Sequence, residues 1–168
     1  MQELAKLHWQ ERMFINDVSE LARNISQLTG QSSRIIFIRA SYLPNQLFQD
    51  NDIIDQLSSF VRESRYRFIH ILLDQPENLM RDDSPLLALT RRLSEKIIIK
   101  RIYGEPKSNN DIWFISDGCG VIFQPLDSEQ VGFASIHDKA NHKKVKDSFR
   151  ASWDRSNIAR DLRAMSGI

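Results

Sequence analysis

The sequence has one cysteine, six glycines and five prolines in 168 residues. The single cysteine, Cys119, excludes an intrachain disulfide and any zinc site built from several thiolates. The glycines form no phosphate-binding loop, and no spacing of His, Cys, Asp and Glu is typical of a metal site. We therefore expect neither a metal ion nor a cofactor.

Long apolar runs are also missing. The run Ile97–Ile99 is among the longest, far below the ~20 residues that a membrane-spanning helix needs. The first residues are acidic and polar (Gln2, Glu3, Gln10, Glu11), unlike an ordinary secretory signal. The sequence therefore predicts a cytoplasmic protein that does not contact membranes.

The sequence also lacks a large excess of either sign of charge, since the formal net charge is only +1. The distribution is uneven, because the segment from His137 to the end has eight basic residues against four aspartates. An apolar content of 41% and a charged content of 27% are ordinary for a globular protein. The length predicts one domain over 1–168, with residues 1–13 as an N-terminal extension.

Apolar periodicity predicts alternating helices and strands in the first two thirds of the chain. Helical spacing runs from about Phe14 to Leu28, where Gly30 ends the helix, and Ser84-Pro85 opens a later helix. A middle helix begins near Asn51 or Asp52. Between these helices lie three segments with the composition of buried strands: Arg34–Arg39, Arg67–Asp74 and Lys96–Tyr103. This order predicts parallel crossovers in an α/β domain.

The pattern changes after Gly104. Two strand-like segments, Asp111–Ser116 and Cys119–Phe123, flank the dipeptide Asp117-Gly118, which predicts an antiparallel hairpin with a two-residue turn. A short strand and a long final helix capped by Asp138 follow. The predicted fold class is α/β, a layered mixed sheet with parallel βαβ units followed by an antiparallel hairpin.

Several short motifs accompany this pattern: Ala40–Pro44, Ile71–Asp74, Leu87 with Arg92-Leu93, the Asp-Gly hairpin, Ile136–Asp138, and Phe149 with Trp153 and Ser156. With these motifs, the chain resembles a phospholipase-D-like half-domain, and more narrowly an uncharacterised bacterial family of that type. The resemblance implies the corresponding fold. Because such half-domains often pair to build one composite site, it also implies a homodimer. Relatives carry the domain beside an acetyltransferase domain, which implies an accessory role.

The resemblance also shows what this chain is missing. Active members have the motif His-x-Lys-x-x-x-x-Asp, whose histidine attacks phosphorus and whose lysine binds the phosphoryl oxygens. Counting back from Asp117, the histidine position holds Asn110 and the lysine position holds Ile112. Neither side chain can perform those steps, so we predict that the catalytic pair is absent.

Five residues are candidates for a ligand-binding cleft. Tyr42 and Asp74 follow the first two predicted parallel strands, at the edge where open α/β sheets bind ligands. Tyr42 is equally well a packed loop aromatic, and Asp74 equally well a loop-capping residue. Asn110, Asp117 and His137 complete the candidate set.

The triplet His137-Asp138-Lys139 is a second His-x-Lys sequence. Its spacing to Asp147 does not fit the motif, and it lies where a helix begins. Asp138 is better explained as a helix N-cap. A phosphodiesterase or nuclease that uses His137 and Lys139 across a dimer interface remains an alternative.

The last predicted helix has a basic face formed by Lys139, Lys143, Lys146 and Arg150. Such a face can attract phosphate backbones or acidic partners, although most such faces are simply solvated. No aromatic residue interleaves with it, so single-strand stacking is not indicated. A nucleic-acid-binding protein that uses this helix is the third hypothesis.

The leading prediction is therefore a non-catalytic module on a phospholipase-D-like scaffold. It would bind a phosphate-containing ligand or a protein partner, in an accessory or regulatory role. The sequence does not identify the ligand.

Overall fold

The computed structural model describes residues 1–48, 51–81, 84–103, 110–126 and 130–159. Within these residues, eight strands form one mixed sheet in the order β1-β7-β6-β5-β2-β3-β4-β8. The strands are β1 Met13–Ile15, β2 Ile35–Ala40, β3 Phe68–Leu73, β4 Ile97–Arg101, β5 Asp111–Ser116, β6 Val121–Pro125, β7 Gly132–Ser135 and β8 Asn157–Ile158. Strands β2, β3 and β4 are parallel to each other, and the other pairs are antiparallel. The expected α/β fold class is confirmed.

Helices cover both faces of this sheet. A 3₁₀ helix, Gln2–Lys6, precedes β1. The α-helices are α1 Val18–Gln31, α2 Asn45–Phe48, α3 Asn51–Arg62, α4 Asn78–Arg81, α5 Pro85–Arg92 and α6 Lys139–Asp154. Pro85 occupies the first turn of α5, as its fixed φ angle favours.

Two apolar clusters fill the spaces between the sheet and its helices. The larger cluster joins α1, α3 and α5 to one face of the sheet, through residues such as Ile25, Leu57 and Ile112. The smaller cluster joins the other face to α6 and the N-terminal segment, through residues such as Trp9 and Phe149. Side chains alternate between the two faces along each strand, so a residue's position in its strand decides which cluster it joins.

The first helix begins four residues later than its apolar spacing predicts. Asp17 accepts a hydrogen bond from the Glu20 N–H at 2.8 Å, and Glu20 accepts one from the Asn16 N–H at 2.6 Å. This reciprocal capping fixes the helix start at Val18. Phe14 was therefore assigned wrongly, because it pairs with Phe133 in the edge strand β1. The helix also continues through the expected stop at Gly30 and ends at Gln31.

The hairpin between β5 and β6 forms as expected, but its turn is longer. Ser116 donates its backbone N–H to the Gly120 carbonyl at 2.9 Å, which leaves three residues, Asp117 to Cys119, in the loop. The two-residue turn is therefore corrected to a three-residue loop.

The N-terminal segment packs against the sheet. Trp9 is 3% exposed, and its ring centroid lies 5.4 Å from that of Phe133. Asp138 also ties this segment to α6, because its carboxylate accepts the Gln10 N–H at 2.9 Å. At the other end of the chain, the basic residues Arg160 and Arg163 lie outside the described residues.

Candidate functional site

The two ends of the sheet differ chemically. Strands β2 and β3 end where β5 begins, as the pairing of Ala40 with Ile112 shows. We call this end the carboxyl edge. At the opposite end, which we call the amino edge, β2 begins, β5 ends and the hairpin loop follows.

Three of the five predicted cleft residues lie at the carboxyl edge. Tyr42 and Asp74 directly follow β2 and β3 and are half-buried, while Asn110 precedes β5 and is exposed. The Ser41 hydroxyl donates a hydrogen bond to Asn110 Oδ1 at 3.3 Å. The structure therefore brings these three residues to one edge of the sheet.

A buried ion pair lies next to them. Arg39 Nη2 is 3.0 Å from Asp74 Oδ1, with only 5% and 10% of the two side chains exposed. Arg39 Nη1 also donates to the Ala40 carbonyl at 2.7 Å. The guanidinium is thus held by protein acceptors, as a buried charge must be.

Asp111 adds a second carboxyl group on the same side of the sheet. Burial raises its pKa to about 6, and the nearby Asp74 charge acts in the same direction. The positive charges of Arg39 and the chain's amino terminus oppose this shift. An anion approaching the carboxyl edge would meet a guanidinium already bound to Asp74, with a second carboxyl group beside it.

Ile112, which the resemblance aligns with the lysine of the catalytic motif, lies in the core. Ile112 is 0% exposed and belongs to the apolar cluster beneath α1, α3 and α5. Its side chain cannot bind a phosphate, and its surroundings would not accept a charged replacement.

Asp117 and His137 lie at the amino edge, away from the other three. Asn110 and Asp117 flank β5, so the seven residue steps between them carry the chain across the sheet, roughly 23 Å at the rise of an extended strand. The prediction that all five residues share one cleft is therefore wrong. The predicted strand Asp111–Ser116 already separates Asn110 from Asp117, but the sequence pattern does not show the direction of β5, which decides which of the two lies beside Tyr42 and Asp74.

Asp117 has a structural role at the amino edge. Its carboxylate accepts hydrogen bonds from the backbone N–H groups of Ser33, Arg34 and Ile35, at 2.8, 2.7 and 3.2 Å. These bonds join the hairpin loop to the start of β2.

Among the described residues, the alternative pair of His137 and Lys139 does not line the same groove of α6. His137 is exposed, whereas Lys139 lines a groove on α6 that His137 does not line. Asp138 between them caps α6, as expected, by accepting the Asn141 N–H at 3.0 Å.

That groove is lined by four cations of α6. It lies between α6 and the hairpin loop and has a volume of about 680 Å³. We call it the basic groove. Its residues are Gln31, Gly118, Cys119, Lys139, His142, Lys143, Lys146, Asp147 and Arg150. All four members of the predicted basic face are included.

Two contacts define the groove further. His142 Nε2 lies 2.7 Å from the Ser116 carbonyl, which accepts its hydrogen bond and fixes α6 to β5. Burial lowers the pKa of His142, so the ring adds no positive charge near neutral pH. Lys143 forms an ion pair with Asp147, whose pKa is lowered by that hydrogen bond.

A family model described as "Domain of unknown function (DUF7931)" matches residues 17–165. The chain belongs to the DUF7931 family. No curated protein sequence matches it.

Solved structures similar to this DUF7931 chain include phospholipase D family members. Nuc from Salmonella typhimurium has a TM-score of 0.61 at 15% identity, covering 88% of this chain and 95% of Nuc. NucT from Helicobacter pylori has a TM-score of 0.58 at 15% identity, covering 87% and 96%. TrmBL2, an archaeal chromatin protein with a novel mode of DNA binding, has a TM-score of 0.56 at 14% identity, covering 91% and 55%. At this identity the likeness shows the fold alone, which is phospholipase-D-like as expected.

Sequence reasoning missed several residues of these two regions. Arg39 could have been predicted from the sequence. It is a charged residue that continues an apolar strand, and a charge buried in this way needs a partner of opposite charge. The burial of His142 could also have been predicted, because this residue shares helical spacing with the core residues Val145 and Phe149. Nothing in the pattern pointed to Asp111 or Gln31.

In the parts of the chain that the structure describes, no group of three or more His, Cys, Asp or Glu side chains is placed to hold a metal ion. Among the same residues, no helix combines the length and apolar character required to cross a bilayer.

Proposed function

We propose that this DUF7931 chain is a non-catalytic binding module on a phospholipase-D-like fold. Its ligand contains phosphate, and its role is accessory or regulatory. The observation that carries this proposal is Ile112, which is completely buried in the apolar core where active relatives need a phosphate-binding lysine.

The environment of Asn110 supports the same conclusion. An amide is not a comparable nucleophile to an imidazole, so this position supplies no group that forms a covalent phosphoryl intermediate. The neighbouring Arg39 contacts Asp74 and the main chain. A catalytic phosphate clamp requires donors preorganised toward the phosphoryl oxygens, and this guanidinium is already engaged by protein acceptors.

A phosphodiesterase with a composite dimer site is the competing function. The exposed position of His137 leaves that side chain accessible to a second copy of the chain. The homodimer implied by the resemblance is part of this alternative, and analytical ultracentrifugation tests it directly. A cytoplasmic location likewise remains a prediction.

The test pairs a binding measurement with a turnover measurement on the full chain. Inorganic pyrophosphate is titrated against the ¹⁵N-labelled protein by NMR, and bis(p-nitrophenyl) phosphate is supplied as a generic phosphodiester substrate. We expect saturable shifts with pyrophosphate and no hydrolysis. Hydrolysis that disappears in His137→Ala would establish the phosphodiesterase instead, and no shift with pyrophosphate would refute the phosphate-binding role.

A further inference from the structure

The cations of the basic groove form a row rather than a ring. Lys139, Lys143, Lys146 and Arg150 follow one another at intervals of four, three and four residues on α6. With a rise of 1.5 Å per residue, the row is about 16 Å long, with successive cations about 4.5 to 6 Å apart. A single phosphate ion can contact neighbouring members of such a row but cannot span it.

The remaining walls of the groove are polar or small. Gly118 and Cys119 belong to the hairpin loop, and Gln31 is the last residue of α1. No Phe, Tyr or Trp side chain lines the groove, and the imidazole of His142 is 4% exposed and bound to the Ser116 carbonyl, so the groove offers no open aromatic surface on which a base could stack. Recognition there depends on charge and on the spacing of the ligand's anions.

The groove also lies apart from the catalytic position of phospholipase-D-like enzymes. Gly118 follows β5 at the amino edge, whereas Asn110 precedes β5 at the carboxyl edge. Four cations surround one carboxylate, Asp147, giving the groove an excess of three positive charges near neutral pH. Among the described residues of the carboxyl edge, Arg39 is bound by Asp74 and Arg101 by Glu77.

We propose that the basic groove is a binding site for a chain of linked phosphates. The inference rests on the proposed phosphate-binding function and specifies its ligand class and location. Both the backbone of double-stranded nucleic acid and inorganic polyphosphate have this chemistry. Contact is made by the cations of α6 with successive phosphates, without reading of base edges.

Asp147 allows the proposal to be tested by a variant with increased affinity as well as by one with reduced affinity. It pairs with Lys143 inside the row and so competes with an incoming phosphate for that ammonium group. Removing its charge strengthens binding, whereas reversing two cations weakens it. Asp154 on the same helix is exposed and does not line the groove, so Asp154→Asn is a control with the same change of charge.

The experiment measures fluorescence anisotropy of a labelled 20-base-pair DNA duplex at several salt concentrations, with inorganic polyphosphate and inorganic phosphate as competitors. For K143E/K146E we expect at least about a 10-fold loss of affinity and a salt slope smaller by about 2, one per lost phosphate contact. Asp147→Asn should bind more tightly than Asp154→Asn. The control variant R23E/R62E, with exposed substitutions on α1 and α3, should retain its affinity.

The competitors test whether the bound phosphates must be linked to one another. Displacement of the duplex by polyphosphate, but not by an equal concentration of inorganic phosphate, supports recognition of linked phosphates. Equal loss in K143E/K146E and R23E/R62E, or a wild-type salt slope in K143E/K146E, overturns the assignment of the groove. Pyrophosphate shifts without duplex or polyphosphate binding would leave the proposed function standing and reject this inference. Binding only to vesicles of anionic lipid would also reject it.

Discussion

The carboxylate of Asp117 accepts a hydrogen bond from the backbone N–H of Arg34 at 2.7 Å. The two residues are 83 positions apart, and the same carboxylate also binds the N–H groups of Ser33 and Ile35. It thereby joins the hairpin loop to the first residues of a central strand. This role requires no histidine or lysine nearby, so it accounts for the aspartate without the catalytic pair, whose positions we propose are held by Asn110 and Ile112.

Replacing Asp117 with alanine should therefore destabilise the fold. Three N–H groups lose a charged acceptor, and we expect the free energy of unfolding to fall by about 2–3 kcal/mol. Urea denaturation followed by circular dichroism measures the change. Asp154→Ala removes an exposed carboxylate near the end of α6 and should change stability by less than about 0.5 kcal/mol. Equal stability of the two variants would contradict the structural role of Asp117.

Of the two substitutions that would rebuild the catalytic motif, only one should destabilise the fold. In Ile112→Lys an ammonium group replaces a side chain that is 0% exposed, and we expect a loss of more than about 3 kcal/mol in stability. Asn110→His places an imidazole at an exposed position and should leave the midpoint of urea unfolding nearly unchanged. Neither variant should hydrolyse bis(p-nitrophenyl) phosphate. A folded, active double variant would show that the site needs only these two side chains.

The parts of the fold that followed from the sequence are those set by local pattern. Apolar runs located β2, β3 and β4, and Asp138 marked the start of α6. The short strands β1 and β8 were missed, because two or three residues are too few to show alternation. Their pairing depends on strands far away in the sequence.

The candidate site was predictable to the extent that it depended on strand order. Tyr42 and Asp74 follow parallel strands, so their common edge follows from the crossover rule. Asn110 and Asp117 flank the predicted strand Asp111–Ser116, so their separation also followed from the sequence. Which of them lies beside Tyr42 and Asp74 depends on β5 pairing antiparallel with β2, which no local signal specifies. Likewise, the basic face of α6 was visible in the sequence, but the hairpin loop that completes the groove was not.

Breaking the buried ion pair should be costly. Arg39→Met removes the cation that contacts Asp74 and lies near Asp111, so two buried carboxyl groups lose their positive neighbour. We expect a loss of about 3–5 kcal/mol in stability at pH 7. The double variant R39M/D74L should recover part of this loss, because it removes one of the stranded charges. A double variant that is less stable than Arg39→Met would show that Asp74 has a further stabilising role.

The pH dependence of stability offers a test of two buried groups at once. His70 stacks on Trp153 with ring centroids 4.5 Å apart, and burial, with a smaller contribution from Lys100, lowers its pKa to about 4. Between pH 4 and 6.5 the unfolded histidine is protonated while the folded one is neutral, so stability rises with pH. Asp111, whose pKa is raised to about 6, stays protonated when folded but not when unfolded between pH 3.8 and 6, so stability falls with pH.

These opposing slopes should nearly cancel between pH 4 and 6 in the wild-type chain. Each is at most about 1.4 kcal/mol per pH unit, the value for one proton. Asp111→Asn should therefore give stability that rises from pH 4 to 6, and His70→Gln stability that falls over the same range. Urea midpoints at half-unit pH intervals measure both slopes, and contributions from groups such as His142 cancel in the difference between the variants. Parallel pH profiles for the two variants would show that at least one of these groups does not titrate as its burial predicts.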